Sequence, residues 1–206
     1  MITAFLHGFL LALGLILPLG VQNVFIFNQG ATQPRLIRAV PAVLTATLCD
    51  MLLILLAVLG VSLIVLQVVW LKTLLFGAGL VFLLYMGWSI WRSPAGVSQA
   101  ERPEPFSPRK QIAFAASVSL LNPHAIMDTI GVIGTSSLQY DSPDKWVFTA
   151  SCILVSFIWF VGLAVCGRLI GRFDGSGRWL LWINRLSAVI IWGVAAYMGW
   201  QLLASA

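Results

Sequence analysis

Two apolar stretches of this chain are interrupted in the same way, and no other feature narrows the fold so far. One reads Leu17-Pro18-Leu19-Gly20-Val21-Gln22-Asn23, the other Asn122-Pro123-His124-Ala125-Ile126-Met127-Asp128. Aligned on Pro18 and Pro123, each places a polar side chain five residues later, Asn23 in one and Asp128 in the other. Both stretches are long enough to cross a bilayer. Proline lacks an N–H and clashes with the carbonyl four residues back, so the preceding turn opens. Gly20 is expected to let the chain take unusual dihedrals at the first break. An ionised carboxylate at a helix centre costs roughly 2.5–3.5 kcal/mol on insertion scales. Matched interruptions of this kind in two halves point to a transporter with its site at the breaks.

The setting is a membrane. Of 206 residues, 60% are hydrophobic and 9% charged, against roughly 25% charged in an ordinary soluble domain. Mean hydropathy is +0.96. Six spans fit, at about 3–27, 39–66, 70–91, 111–135, 146–170 and 180–204. Each has the roughly 20 residues that cross about 30 Å of hydrocarbon, and lipid leaves unpaired backbone groups no partner, so the spans are expected as helices. The N-terminal run lacks a positive n-region and reads as a first span rather than a cleaved signal.

The net charge of +5 is no nucleic-acid signal, because the basic residues fall in the short connections. Arg35, Arg38, Arg92, Arg102, Arg109, Lys110, Arg168, Arg172, Arg178 and Arg185 fall on one side; Lys72 and Lys145 fall on the other. The positive-inside rule then places both termini outside the cytoplasm. Arg168 and Arg185 lie near span ends and are expected to snorkel. Tryptophans near span ends fit an interfacial belt. Cys49, Cys152 and Cys166 sit in apolar runs without metal-type spacing and read as small buried residues. No metal site and no cofactor is expected.

The halves match beyond the prolines. Tyr85-Met86-Gly87-Trp88 returns as Tyr197-Met198-Gly199-Trp200. The offsets are 105 for the prolines (123 − 18) and 112 for the tetrapeptide (197 − 85), a difference the loops absorb. The expected architecture is an all-α membrane protein, one transporter domain of six transmembrane helices in a 3+3 inverted repeat with broken helices in spans one and four. Repeat one covers about 1–91, a proline-rich linker about 92–110 and repeat two about 111–206. Three is odd, so the second copy inserts upside down.

The site candidates follow from the breaks. Asp50 and Asp128 are intramembrane carboxylates, each with a structural reading as a hydrogen-bond acceptor and a functional one as a cation or proton site. Gln22, Asn23 and Asn122 can bind a ligand or satisfy opened backbone. His124 can bond a freed carbonyl or relay protons; His7 is expected to be structural. Freed carbonyls suit a cation, and the next half-helix N-terminus suits a carboxylate; an amino acid has both charges. A carboxylate here can hold a proton when empty and release it to a cationic substrate, so protons are the expected coupling ion. Gly167-xxx-Gly171 is a small-xxx-small pattern near a span end.

The stretches LPLGVQNVFIFNQG at 17–30, CDMLLILLAVLG at 49–60, FLLYMGWSIWR at 82–92, SLLNPHAIMDTIGVIG at 119–134 and WINRLSAVIIW at 182–192 resemble the LysE family of amino-acid exporters. NPHxxxDT with CDxxLI looks most like the branch that exports lysine and arginine. The resemblance implies a bacterial inner-membrane carrier driven by the membrane potential or a proton gradient. Carried over by position, Pro18, Gln22 and Asn23 match the first motif, Asp50 the second, and Asn122, Pro123, His124 and Asp128 the fourth. Val21 and Val24 depart from the small residues of many relatives. The expected substrate is a basic amino acid, lysine or arginine, with the lipid bilayer as surroundings; a homo-oligomer is compatible. Other readings are an exporter of neutral or other small amino acids, an ion channel, and a membrane-embedded enzyme. Against the enzyme, the sequence has no HExxH and no clustered metal ligands.

Overall fold

The computed structural model describes residues 1–17, 20–60, 105–122, 125–126 and 129–173, with single helical positions between 77 and 92 and between 182 and 200. The described elements are helical: α1 (Ile2–Ile16), α2 (Val21–Thr32), a 3-10 turn (Leu36–Ala39), α3 (Val40–Val58), α4 (Pro108–Leu120), a π-helical segment (Thr129–Gly134), a short turn (Thr135–Ser137) and α5 (Asp144–Phe173).

Local chemistry sets the ends. Pro41 lies in the first turn of α3, where a missing N–H costs nothing. Gly60, at φ 75°, closes that helix after Val58; the rest of the expected span, 61–66, lies outside the described residues. α4 begins at Pro108, inside the expected linker. Ser107 caps it by accepting from the Lys110 N–H, and Pro108 suits the first helical position.

The first apolar stretch is broken as the prolines predict. The axes of α1 and α2 are inclined by 82°. A bend this large fits either a broken crossing or a re-entrant loop, and the packing distinguishes them. Along α5, the Ser151 hydroxyl donates to the Phe5 carbonyl (2.7 Å) and the Cys152 thiol to the Gly8 carbonyl (3.5 Å). Farther on, the Trp159 indole donates to Asn23 (3.3 Å), Gly30 lies against Ala164, and Arg168 reaches the Gln33 carbonyl. Partners therefore advance from 151 to 168, roughly 25 Å at 1.5 Å per residue. A re-entrant loop would turn the register back. α1 and α2 thus pack along α5 in one continuous register, as a broken span would, and Leu36–Val58 and Asp144–Arg172 are each long and apolar enough to cross a membrane.

A similar packing joins α4 and the π-helical segment to α3. The Gln111 amide donates to the Arg38 carbonyl, Ala115 packs with Ala42, Val43 and Ala46, Ser119 meets Cys49, and Gly134 lies against Ala57. So α4 and the π-helical segment run along α3, as α1 and α2 run along α5. Elsewhere Trp192 lies against Gly87, Leu80 approaches Gly199, and the Trp91 and Trp192 rings are 5.5 Å apart.

The core has two apolar clusters at different heights. One joins Ala4, Ala12, Ile54, Val58, Ile133, Phe148, Cys152 and Val155. The other joins Phe25, Ile26, Ala42, Val43, Ala46, Ala115, Phe160 and Ala164. In residue order, Gln22 and Asn23 on α2, Asp50 on α3 and Ser156 on α5 all fall between the two. Outward, Leu44, Leu48 and Leu52 of α3 and Leu154, Ile158, Val161, Val165 and Leu169 of α5 are exposed apolar stripes, as lipid contact requires.

Two expectations are corrected here. Cys166 is exposed, unlike buried Cys49 and Cys152, because it lies on the outward face of α5. Arg168 does not snorkel: its guanidinium donates to the carbonyls of Gln33 (2.8 Å) and Pro34 (2.7 Å). Carbonyls at a helix C-terminus carry partial negative charge, which explains the choice.

Candidate functional site

The site grows from the restart of the first broken helix. Gly20 is the N-cap of α2, and no side chain caps it. Its backbone is ordinary extended chain (φ −82°, ψ 177°), and a Cβ there would meet open space. The break therefore does not need glycine's freedom at position 20, contrary to the expectation.

Gln22 and Asn23 follow in the first turn and divide the work. Asn23 turns back: its Nδ2 donates to the Ile16 carbonyl (2.8 Å), which the break leaves without its helical partner. Its Oδ1 accepts from the Trp159 indole (3.3 Å). Gln22 turns across: its Nε2 donates to Asp50 Oδ1 (2.9 Å). The Ser156 side chain, one turn before Trp159 on α5, lies near the Asp50 carboxylate. Asp50 thus has a neutral donor in Gln22 beside the first turn of α2, where the helix dipole favours negative charge. Among the described residues no lysine or arginine pairs with it; the ion pair found there joins Met1 and Asp144.

In the second break, Asn122 lies next to the chain's restart, with its Oδ1 3.5 Å from the Ala125 N–H. Pro18, Pro123, His124 and Asp128 lie outside the described residues. His7 Nδ1 hydrogen-bonds with the Tyr140 hydroxyl (2.8 Å), away from Asp50. Among the described residues no three His, Cys, Asp or Glu side chains converge as a metal site would.

Sequence reasoning brought Gln22, Asn23 and Asp50 forward, and the fold brings them together. It missed Ser156 and Trp159. Their only signal was a polar pair at i, i+3 in an apolar run, which puts both on one helix face.

The family model of the LysE type translocators matches residues 13–202. A Bacillus subtilis (strain 168) relative named YisU is 57% identical over 200 residues, 97% of this chain and 90% of its own length. The arginine exporter protein ArgO of Serratia proteamaculans (strain 568) is 32% identical over 98% of each chain. ArgO of Pectobacterium carotovorum (strain PC1) is 33% identical over 98% of this chain and all of its own. No solved structure matches.

Proposed function

The chain belongs to the LysE type translocator family, and from that premise we propose that it exports basic amino acids, arginine or lysine, as a secondary carrier. The observation that carries the substrate class is Asp50: a carboxylate inside a crossing helix, held by Gln22, with no basic side chain paired to it among the described residues. Such a group can exchange its neutral donor for an arriving guanidinium or ammonium. The names of the ArgO relatives agree with this substrate class.

Alternating access follows from the layering. The polar layer lies between two apolar clusters; loosening one or the other opens the site to one side only. Asp50, with Asp128 of the second motif as its proposed companion, takes a proton or the substrate cation in turn, so export is exchanged for protons. His124 and Asn122 border the same break in the sequence.

The 3+3 inverted repeat has support in the pairing of late helical stretches. Leu80 and Trp192 are 112 apart (192 − 80), as are Gly87 and Gly199 (199 − 87), the offset of the tetrapeptide repeat. The Gly87–Trp192 and Leu80–Gly199 contacts are thus images of one another. One partner's number falls as the other's rises, so the stretches run antiparallel. A two-fold that reverses a crossing helix lies in the membrane plane, as in inverted-repeat carriers. In this reading both termini face away from the cytoplasm of a bacterial inner membrane.

The test is efflux of arginine and lysine from cells preloaded with dipeptides containing them. Asp50→Asn and Asp128→Asn are each expected to slow export about 30-fold or more, the cost of losing a buried charge partner. Normal export by both variants refutes the site; wild type that exports neither amino acid refutes the substrate class. Indifference of export to an imposed pH gradient at clamped voltage refutes proton coupling.

A further inference from the structure

Between the Asp50 layer and the arginine-rich end, two buried amide oxygens have no hydrogen-bond partner: Asn28 Oδ1 and Gln111 Oε1. The Gln111 side chain is 1% exposed. Its orientation is fixed, because Nε2 spends both hydrogens on the carbonyls of Arg38 and Phe106, each at 2.9 Å. Turning the amide over would set oxygen against two carbonyls. Oε1 is therefore an acceptor with nothing to accept, an arrangement that costs about 1–3 kcal/mol.

The two oxygens lie at one height on facing helices. α2 runs antiparallel to α3 while α4 runs parallel to it, so α2 and α4 are antiparallel. Their register is set by the Phe25 and Phe114 rings, with centroids 4.2 Å apart. Asn28 is three residues after Phe25, and Gln111 three before Phe114. Each is thus one turn beyond the ring contact, in the same direction and close to the same face. Phe106 closes the group, 5.8 Å from Phe114 and 6.3 Å from Phe25 between ring centroids. Its carbonyl is held by Gln111 and also by Gln33 (2.9 Å).

We propose that Asn28 and Gln111 form a second station for the substrate's cationic side chain, between the arginine-rich end and Asp50. Two acceptors without donors suit a guanidinium or ammonium, which has several N–H groups and no acceptor. They repel a carboxylate. The three phenylalanines then separate this station from the Asp50 layer, and the rings part as the cation moves on. The proposal rests on the carrier reading above.

Asn28 is the residue to vary, since its side-chain oxygen supports no described bond. The full chain is reconstituted in vesicles, and the efficiency of labelled L-arginine transport is measured beside the thermal unfolding midpoint. Asn28→Leu is expected to lower the efficiency about tenfold, one charge-assisted hydrogen bond. The midpoint is expected to stay level or rise, because an unpaired buried acceptor has gone. Asn28→Asp, which keeps an acceptor, is expected to retain wild-type efficiency. Unchanged efficiency in Asn28→Leu overturns the station alone. A lowered midpoint or loss of folded protein makes Asn28 structural and overturns it too. Wild type that moves neither arginine nor lysine overturns the carrier reading, and the station with it.

Discussion

At the scale of residues, the first break needs an amide on each of two duties. Asn23 returns a hydrogen bond to the Ile16 carbonyl, while Gln22 supplies one to Asp50. The sequence marked both as ligand or backbone partner and could not divide them, because the answer depends on which way each side chain leaves the helix. The pair energetics are testable. Gln22→Met alone strands an acceptor on Asp50 and is expected to cost about 1–3 kcal/mol, whereas Gln22→Met with Asp50→Leu recovers most of that. Denaturant unfolding in detergent of the two singles and the double closes the cycle, and additivity speaks against the bond. Gly20 sits beside these residues yet occupies extended backbone with open space around it. Gly20→Ala is accordingly expected to stay within about 0.5 kcal/mol of wild type.

Among elements, the seam between α2 and α5 is the closest packed. Gly30 faces the Ala164 backbone, and Gly167 and Gly171 face the backbone of Phe27 and Ala31. The small-xxx-small pattern of Gly167 and Gly171 thus serves packing within the chain, which lets the two backbones approach closely. This seam carries the second half of the broken helix and holds Asn23 against Trp159. Gly167→Leu would drive a side chain into the Phe27 carbonyl, costing about 1–3 kcal/mol or more. Its unfolding midpoint is expected to fall well below wild type. Gly162→Ala on the same helix, with nothing near its Cβ, is expected to leave the midpoint level or slightly raised. Equal midpoints for the two variants would contradict the seam. Hydropathy gave the extent of α5 closely and said nothing of this contact, since it weighs each residue alone.

For the whole molecule, the organising relation is which helix lies beside which: α1 and α2 pack on α5, and α4 packs on α3. In the proposed repeat, that is an exchange of partners between the halves. Under the proposed two-fold, the pairs Leu80–Gly199 and Gly87–Trp192 are equivalent. In a cysteine-free background, Leu80→Cys with Gly199→Cys and Gly87→Cys with Trp192→Cys are both expected to cross-link within one chain, read by mobility on denaturing gels. Cross-linking of one pair without the other would count against the repeat. The proline offset and the tetrapeptide made the proposed duplication legible, because a repeat is a property of order along the chain. That α1 and α2 pack on α5 and α4 on α3 was not, because order along the chain does not say which helix lies beside which.

By itself the sequence determined that the chain lies in a membrane, is helical, breaks its first and fourth apolar stretches, and buries a carboxylate at Asp50. Those properties depend on apolar length, proline and charge, which act locally. Only the tertiary structure decided that α1 and α2 both pack along α5, that Gln22 bonds Asp50, that Arg168 caps α2, and that the Asn28 and Gln111 side-chain oxygens are buried without a partner. The physical reason is the solvent. In lipid, apolar surface does not select a helix's partner; close backbone approach and hydrogen bonds do, and both exist only once the helices meet.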